Sequence, residues 1–251
     1  MAEEILLERR ADRLAILTLN RPQSMNAIDR AMVRALRQAI SEIEADDNID
    51  LFLLAGAGDR AFCVGVDLKE RQALSDEDAH TYRLGELFPM YAELEGRSKP
   101  AIALVDGHCL AGGFELALSC DVILASPRST FGLPEVKWGL IPAAGGCRKL
   151  SKMIGPLRAK ELILTAASID AAQAERLGLV NHVLPAADLL NRALEIAGRI
   201  QGNVQVAVRG AKRCIDHALD LAQCTDFDVG VSNECYAAKE RKAGVAKFAK
   251  E

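Results

Sequence analysis

The 251-residue chain has few aromatics: they make up 4% of it, and tryptophan occurs once. A basic stripe interleaved with aromatics, the mark of a nucleic-acid surface, is missing. An excess of one charge sign is missing too. Lys and Arg number 31 against 35 Asp and Glu, a net charge of −4, so neither nucleic acid nor a membrane surface is expected as the main partner. No apolar run approaches the roughly 18 residues of a membrane span. The seven cysteines (Cys63, Cys109, Cys120, Cys147, Cys214, Cys224 and Cys235) contain no C-x-x-C pair. Their odd number and apolar settings read as buried free thiols of a reducing compartment. The opening Met1-Ala2-Glu3-Glu4 is acidic where a targeting peptide would be basic, and a cytoplasmic location is expected. P-loop, G-x-S-x-G and H-E-x-x-H patterns are absent, and His80, His108, His182 and His217 are scattered. Neither a metal site nor a Ser-His-Asp triad has local support.

What is present is an ordinary globular composition, 50% hydrophobic and 26% charged. The first half alternates strand-like and helix-like segments. Ile5–Arg9 and Leu14–Leu19 read as an opening strand pair, and residues 51–55, Ala101–Val105 and Val122–Ala125 as buried apolar strands. Apolar spacing predicts helices over residues 27–46 and 75–94, with Ser75 opening the second, and a short one over 114–119. Beyond about residue 150 the pattern becomes helical: 156–166, 171–177, 187–200, 204–221 and one or two helices over 227–250. Ser168 and Asp170 are candidate caps. The outline is an α/β core followed by a helical C-terminal part.

Between Asp106 and Asp121 the only formal charge is Glu115, which follows Gly112 and Gly113. A lone carboxylate in so apolar a stretch is costly to bury, and burial raises its pKa toward the range a general acid–base needs. Glu135 sits in a similar setting, Phe131-Gly132-Leu133-Pro134-Glu135-Val136. Either glutamate alone equally suits a first-turn acid that stabilises a helix dipole. Together, beside glycine-rich backbone, they favour proton transfer. Gly112-Gly113 before a short helix, and Gly65 followed by Val66, offer two backbone amides that could converge on one oxygen. Spacing alone leaves open whether these glycines only permit tight turns. Gly56-Ala57-Gly58-Asp59-Arg60-Ala61 formally fits a dinucleotide-binding pattern, but the β-branched segment broken by Gly65 that follows is not a helix opening.

Four segments in this order resemble the enoyl-CoA hydratase/isomerase, or crotonase, superfamily. They are Leu19-Asn20-Arg21-Pro22 with Asn26-Ala27; Ala61-Phe62-Cys63-Val64-Gly65-Val66-Asp67-Leu68; Ala111-Gly112-Gly113-Phe114-Glu115-Leu116-Ala117; and Phe131 to Val136 with Gly139-Leu140-Ile141-Pro142 and Gly145-Gly146. Glu175 to Val180 is similar to the family's helix-to-turn segment. The likeness spans nearly the whole chain, and the segments are specific only jointly.

The resemblance implies an α/β, crotonase-like spiral of ββα units over residues 1–195. A helical C-terminal trimerisation region over 196–251 would follow, in a homotrimer or a hexamer made of two trimers. It implies an acyl-CoA thioester substrate and no metal or redox cofactor, coenzyme A being part of the substrate. Carried over position by position, the Val66 and Gly112 amides would hold the thioester oxygen. Glu115 would activate a water for attack at C3, and Glu135 would deliver a proton to C2. Ala27 and Val64 match places where carbonyls meet the adenine, with Gln23, Met25 and Leu68 lining that region. Lys242 and Phe248 match positions that reach the CoA of a neighbouring subunit. The chain departs from the usual pattern at Gln23 (often lysine), at Ala143 (commonly glycine beside the catalytic water) and at Trp138 (usually aliphatic), which reads as a core filler or subunit contact. The implied activity is an enoyl-CoA hydratase, a hydro-lyase of acyl-CoA metabolism. Alternatives are a specialised relative such as a carnitinyl-CoA dehydratase or Δ3-Δ2-enoyl-CoA isomerase, or an acyl-CoA-binding scaffold with little catalysis.

Overall fold

The computed structural model describes residues 4–218. In chain order, β1 (Ile5–Arg9) and β2 (Leu14–Leu19) lead to α1 (Arg30–Ala45), β3 (Leu51–Gly56) and β4 (Ala61–Cys63). Three helices follow: α2 (Leu68–Gln72), α3 (Asp76–Tyr82) and α4 (Phe88–Gly96). Next come β5 (Ala101–Val105), β6 (His108–Leu110), α5 (Gly112–Ala117), β7 (Val122–Ala125) and β8 (Thr130–Gly132). The remainder is α6 (Gly146–Ile154), α7 (Pro156–Leu164), β9 (Ser168–Asp170), α8 (Ala171–Arg176), β10 (His182–Val183), α9 (Leu189–Gln201) and α10 (Gln205–Ala218).

The strands divide between two sheets, a six-stranded one in the order β1-β2-β3-β5-β7-β10 and a four-stranded one in the order β4-β6-β8-β9. From β3 to β8 the chain visits them alternately, one strand in each, with helices closing the turns after β4 and β6. This is the α/β spiral of ββα units. β2, β3, β5, β7 and β10 run parallel. Strands covered on both faces need continuous apolar sequence. In β5 alternate residues serve two cores: Ala101, Ala103 and Val105 face the main one, while Ile102 and Leu104 pack toward Leu189, Ala193 and Ala197 of α9.

Helix limits follow local chemistry. α1 opens at Arg30, later than the spacing predicts, because Asp29 Oδ1 accepts the Met32 amide at 2.8 Å as N-cap. Just before it, Met25 and Asn26 adopt left-handed φ values of 52° and 55°. The helix expected over 75–94 is interrupted by a widened π turn at Arg83–Leu87. Pro89, near the start of α4, has no N–H to donate and crowds the preceding turn, which a wider turn relieves. Asp170, not Ser168, caps α8, in a reciprocal pair with Gln173. The segment at 56–61 runs into β4 and opens no helix. Among the described residues no helix is long and apolar enough to cross a membrane. Residues 227–250, Lys242 and Phe248 lie outside the described residues.

The Leu19-to-Ala27 motif is scaffolding. Asn26 is fully buried; its Oδ1 accepts the Arg21 amide at 3.0 Å, and its Nδ2 donates to the Ala57 and Ala61 carbonyls at 2.9 and 2.8 Å. Arg21 pairs with Glu4, Asp29 and Asp67 at 3.1–3.3 Å, tying the caps of α1 and α2 to the end of β2. Asn26→Ala should lower the unfolding free energy by about 2–4 kcal/mol, because two buried carbonyls lose their donor. Urea denaturation reads this; a loss below about 0.5 kcal/mol, typical of surface changes, would contradict it.

Candidate active site

β4, β6 and β8 are parallel neighbours, so the segments leaving them emerge on one side of the small sheet. β4 leads to Gly65 and Val66, β6 to Gly112 and Glu115, and β8 to Glu135. Sites in parallel sheets form beyond the carboxyl ends of the strands, and this one does as well. A cavity of about 780 Å³ lies there. Its wall includes Val66, Gly112, Glu115 and Glu135 together with Gln23, Met25, Ala27, Val64, Leu68 and Ala143. Ten positions expected from the sequence to form a site therefore border one cavity.

The two glycine segments meet backbone to backbone. Gly65 has φ 91°, and a Cβ there would lie 2.9 Å from the Gly112 nitrogen. A Cβ on Gly113 would lie 2.2 Å from the Cys63 carbonyl oxygen, so nothing larger fits between α5 and β4. Ile28 fixes the first segment: its amide donates to the Gly65 carbonyl, and its carbonyl accepts from the Asp67 amide, both at 2.8 Å. In such a bridge the N–H of the residue between, Val66, points the other way. Gly112 begins α5, where helical N–H groups have no partner within the helix. Ala111 before it takes a left-handed φ of 49°, a conformation that costs energy and clusters at functional sites. The Tyr91 hydroxyl, buried on α4, donates to the Gly112 carbonyl at 2.9 Å and anchors this corner.

Glu115 is only 4% exposed. Its Oε1 accepts the Gly146 amide at 2.8 Å, and the Ala144 amide also donates to the carboxylate. Burial pushes its pKa up to about 7; Glu135 adds to the rise, while the two amides and Lys149 restrain it. Glu135 opens the short turn Glu135–Trp138 after Pro134 and is half-buried. Its Oε2 is buried and has no hydrogen-bond partner among the described residues; burial raises its pKa as well, restrained by its own backbone amide. The two carboxyls differ: Glu115 is held by amides of another segment, whereas Glu135 accepts only its own amide and leaves Oε2 unpartnered among the described residues.

Some expected details differ. Trp138 is not a core filler; it is 64% exposed and borders the cavity, because the turn ending at Gly139 (φ 68°) lifts it outward. The Ala27 carbonyl accepts from Arg21 Nη1 at 2.5 Å, which leaves its second lone pair for another donor. Buried-thiol chemistry holds for Cys63, whose pKa is pushed up to about 12, and for Cys109, but Cys147 is exposed and Cys120 and Cys214 are half-buried. Sequence reasoning missed Tyr91, Ala144, Gly146 and Lys149. Gly145-Gly146 was the one visible signal, since glycines that open a helix present free amides. Among the described residues no three His, Cys, Asp or Glu side chains group as a metal site.

A family model described as enoyl-CoA hydratase/isomerase matches residues 9–251. A Bacillus subtilis protein named putative enoyl-CoA hydratase/isomerase is 39% identical over 250 residues, covering 99% of this chain and 96% of that protein. A Clostridium acetobutylicum protein named short-chain-enoyl-CoA hydratase is 36% identical, covering 97% and 94%. The crystal structure of an enoyl-CoA hydratase from Bacillus anthracis matches with a TM-score of 0.92 at 32% identity, covering 98% of this chain and 96% of that one. Motif order, sheet topology and full-length similarity agree, and the chain belongs to the enoyl-CoA hydratase/isomerase family.

Proposed function

We propose that the protein hydrates trans-2-enoyl-CoA thioesters to 3-hydroxyacyl-CoA. The observation that carries this reading is the pair of differently held glutamates, Glu115 buried and Glu135 half-buried, beside two outward-facing amides. The thioester oxygen accepts from the Val66 and Gly112 N–H groups as it gains enolate charge, and a donor of this kind contributes about 3–4 kcal/mol to the transition state. Glu115, ionised and aligned by the Ala144 and Gly146 amides, takes a proton from water as its oxygen bonds to C3. Glu135, protonated, gives its proton to C2 as the enolate collapses. A proton returns from Glu115 to Glu135, and the net change is addition of H and OH across the double bond. The names of the full-length relatives support the same class of reaction. Gln23, Met25, Ala27, Val64 and Leu68 form the part of the wall assigned to the CoA moiety, and Ala143 adds its methyl group to the wall near Glu115. Two glutamates on one cavity favour hydration over double-bond isomerisation, for which one acid–base group suffices.

Loss of the conjugated thioester absorbance of crotonyl-CoA reads the activity. Glu115→Gln and Glu135→Gln should each lower turnover by about 10²-fold or more. Near-normal turnover in both would overturn the two-glutamate mechanism.

Glu115 also links stability to pH. Its pKa of about 7 in the folded protein exceeds the ordinary glutamate value of 4.5, so the native state holds the proton more tightly than the unfolded chain. The stabilisation is complete below about pH 4.5 and is lost as pH rises through 7. Relative to the wild type, neutral Glu115→Gln should gain up to about 3 kcal/mol between pH 4.5 and 8. Denaturant midpoints across that range test this; a difference that does not change with pH would contradict it.

A further inference from the structure

Among the described residues Lys149 is the one buried ammonium that acts on Glu115, and the mechanism above leaves it unused. It lies in α6, three residues after Gly146, and is 5% exposed. Its Nζ donates to Ser119 Oγ at 2.7 Å and pairs with Glu95 of α4 at 3.2 Å. The Ser119 hydroxyl in turn donates to the Glu115 main-chain carbonyl at 2.8 Å. The same glutamate is thus held at both polar ends from α6: its carboxylate by the Gly146 amide, its carbonyl through Ser119 by Lys149. The lysine stem folds back along the helix start, because a Cβ on Gly145 would lie 3.2 Å from its Cε. Burying an ammonium costs several kcal/mol unless it is paired, and here Glu95 and Ser119 supply the pairing and fix where the charge sits.

We propose that Lys149 is a positioning residue for Glu115: it clamps α6 onto the end of α5 so that the Ala144 and Gly146 amides stay on the carboxylate, and its charge favours the ionised carboxylate. Other charged and titratable groups frame the pair. Glu95 from α4, Arg148 from its own helix and the half-buried Cys120 face Lys149. Arg97 and Lys212 also act on Cys120, but both are paired with Asp121. Glu135, Tyr91 and Cys147 face Glu115. Glu95, which also pairs with Arg148 at 2.6 Å, partly cancels the field of Lys149 at the site.

Opposite signs distinguish this role from a merely structural one. Lys149→Met removes the positive charge and should raise the Glu115 titration midpoint by about half a pH unit or more. Glu95→Gln leaves Lys149 less compensated and should lower it. Lys149→Arg should restore the wild-type value. The carbon-13 signal of the Glu115 carboxyl, assigned by its absence in Glu115→Gln, reads the midpoint without any turnover. The inference rests on the hydratase reading for its catalytic meaning, and the acid limb of kcat/KM for crotonyl-CoA should move with the NMR midpoint in each variant. Midpoints that stay fixed, or that shift the same way in Lys149→Met and Glu95→Gln, would overturn the proposal. If Lys149→Met does not fold, Glu95→Gln still decides it by the direction of its shift. Midpoints that move as expected in a protein that turns over no enoyl-CoA would uphold the clamp and overturn the hydratase reading instead.

Discussion

The close approach of two backbones, the segment after β4 and the first turn of α5, is the constraint on which the site depends. Glycines at 65 and 113 let these chains come within distances that any side chain would forbid. The contact brings the amide side of Val66 next to the exposed start of α5. It also sets Glu115, three residues along that helix, inside the protein. The exposed amides and the burial of the carboxylate therefore come from one packing decision, and the short parallel strands β4, β6 and β8 keep it in register.

Burial then sets the chemistry. A glutamate that stayed solvated would be fully ionised near neutral pH and a weak base. Inside the core Glu115 titrates near pH 7, where both protonation states are accessible. Its desolvation cost is met by directed donors: amides at 144 and 146 on the carboxylate, and Ser119 with Lys149 behind the main chain. Among the described residues Glu135 has no such cradle and its buried Oε2 no partner, which suits the proton donor proposed above. The two carboxylates thus sit in different surroundings, which is what the two roles proposed for them require.

Much of this architecture was legible in the chain. The apolar runs at Ala101–Val105 and Val122–Ala125 are strands because a strand buried on both faces must be apolar throughout. The lone glutamates and their glycine neighbours mark the cavity because charge in apolar sequence is costly. The small sheet was not legible: its strands have only three residues each, too few for any period to register. Tyr91 and Lys149 escaped for another reason. On amphipathic helices an aromatic reads as core and a lysine as surface, and only the three-dimensional structure shows one holding Gly112 and the other buried behind Glu115. Trp138 reads as core filler or subunit contact because of its hydrophobic size, and its turn excludes the first by placing it on the cavity rim.

The most direct test is the pH dependence of kcat/KM for hydration of crotonyl-CoA by the wild-type protein between pH 5 and 9. This parameter reports groups of the free enzyme, and a base titrating near pH 7 should make the rate fall about tenfold per unit below that point. A profile level down to pH 5 would mean that Glu115 is ionised throughout, and the link from backbone contact through burial to catalysis would be wrong.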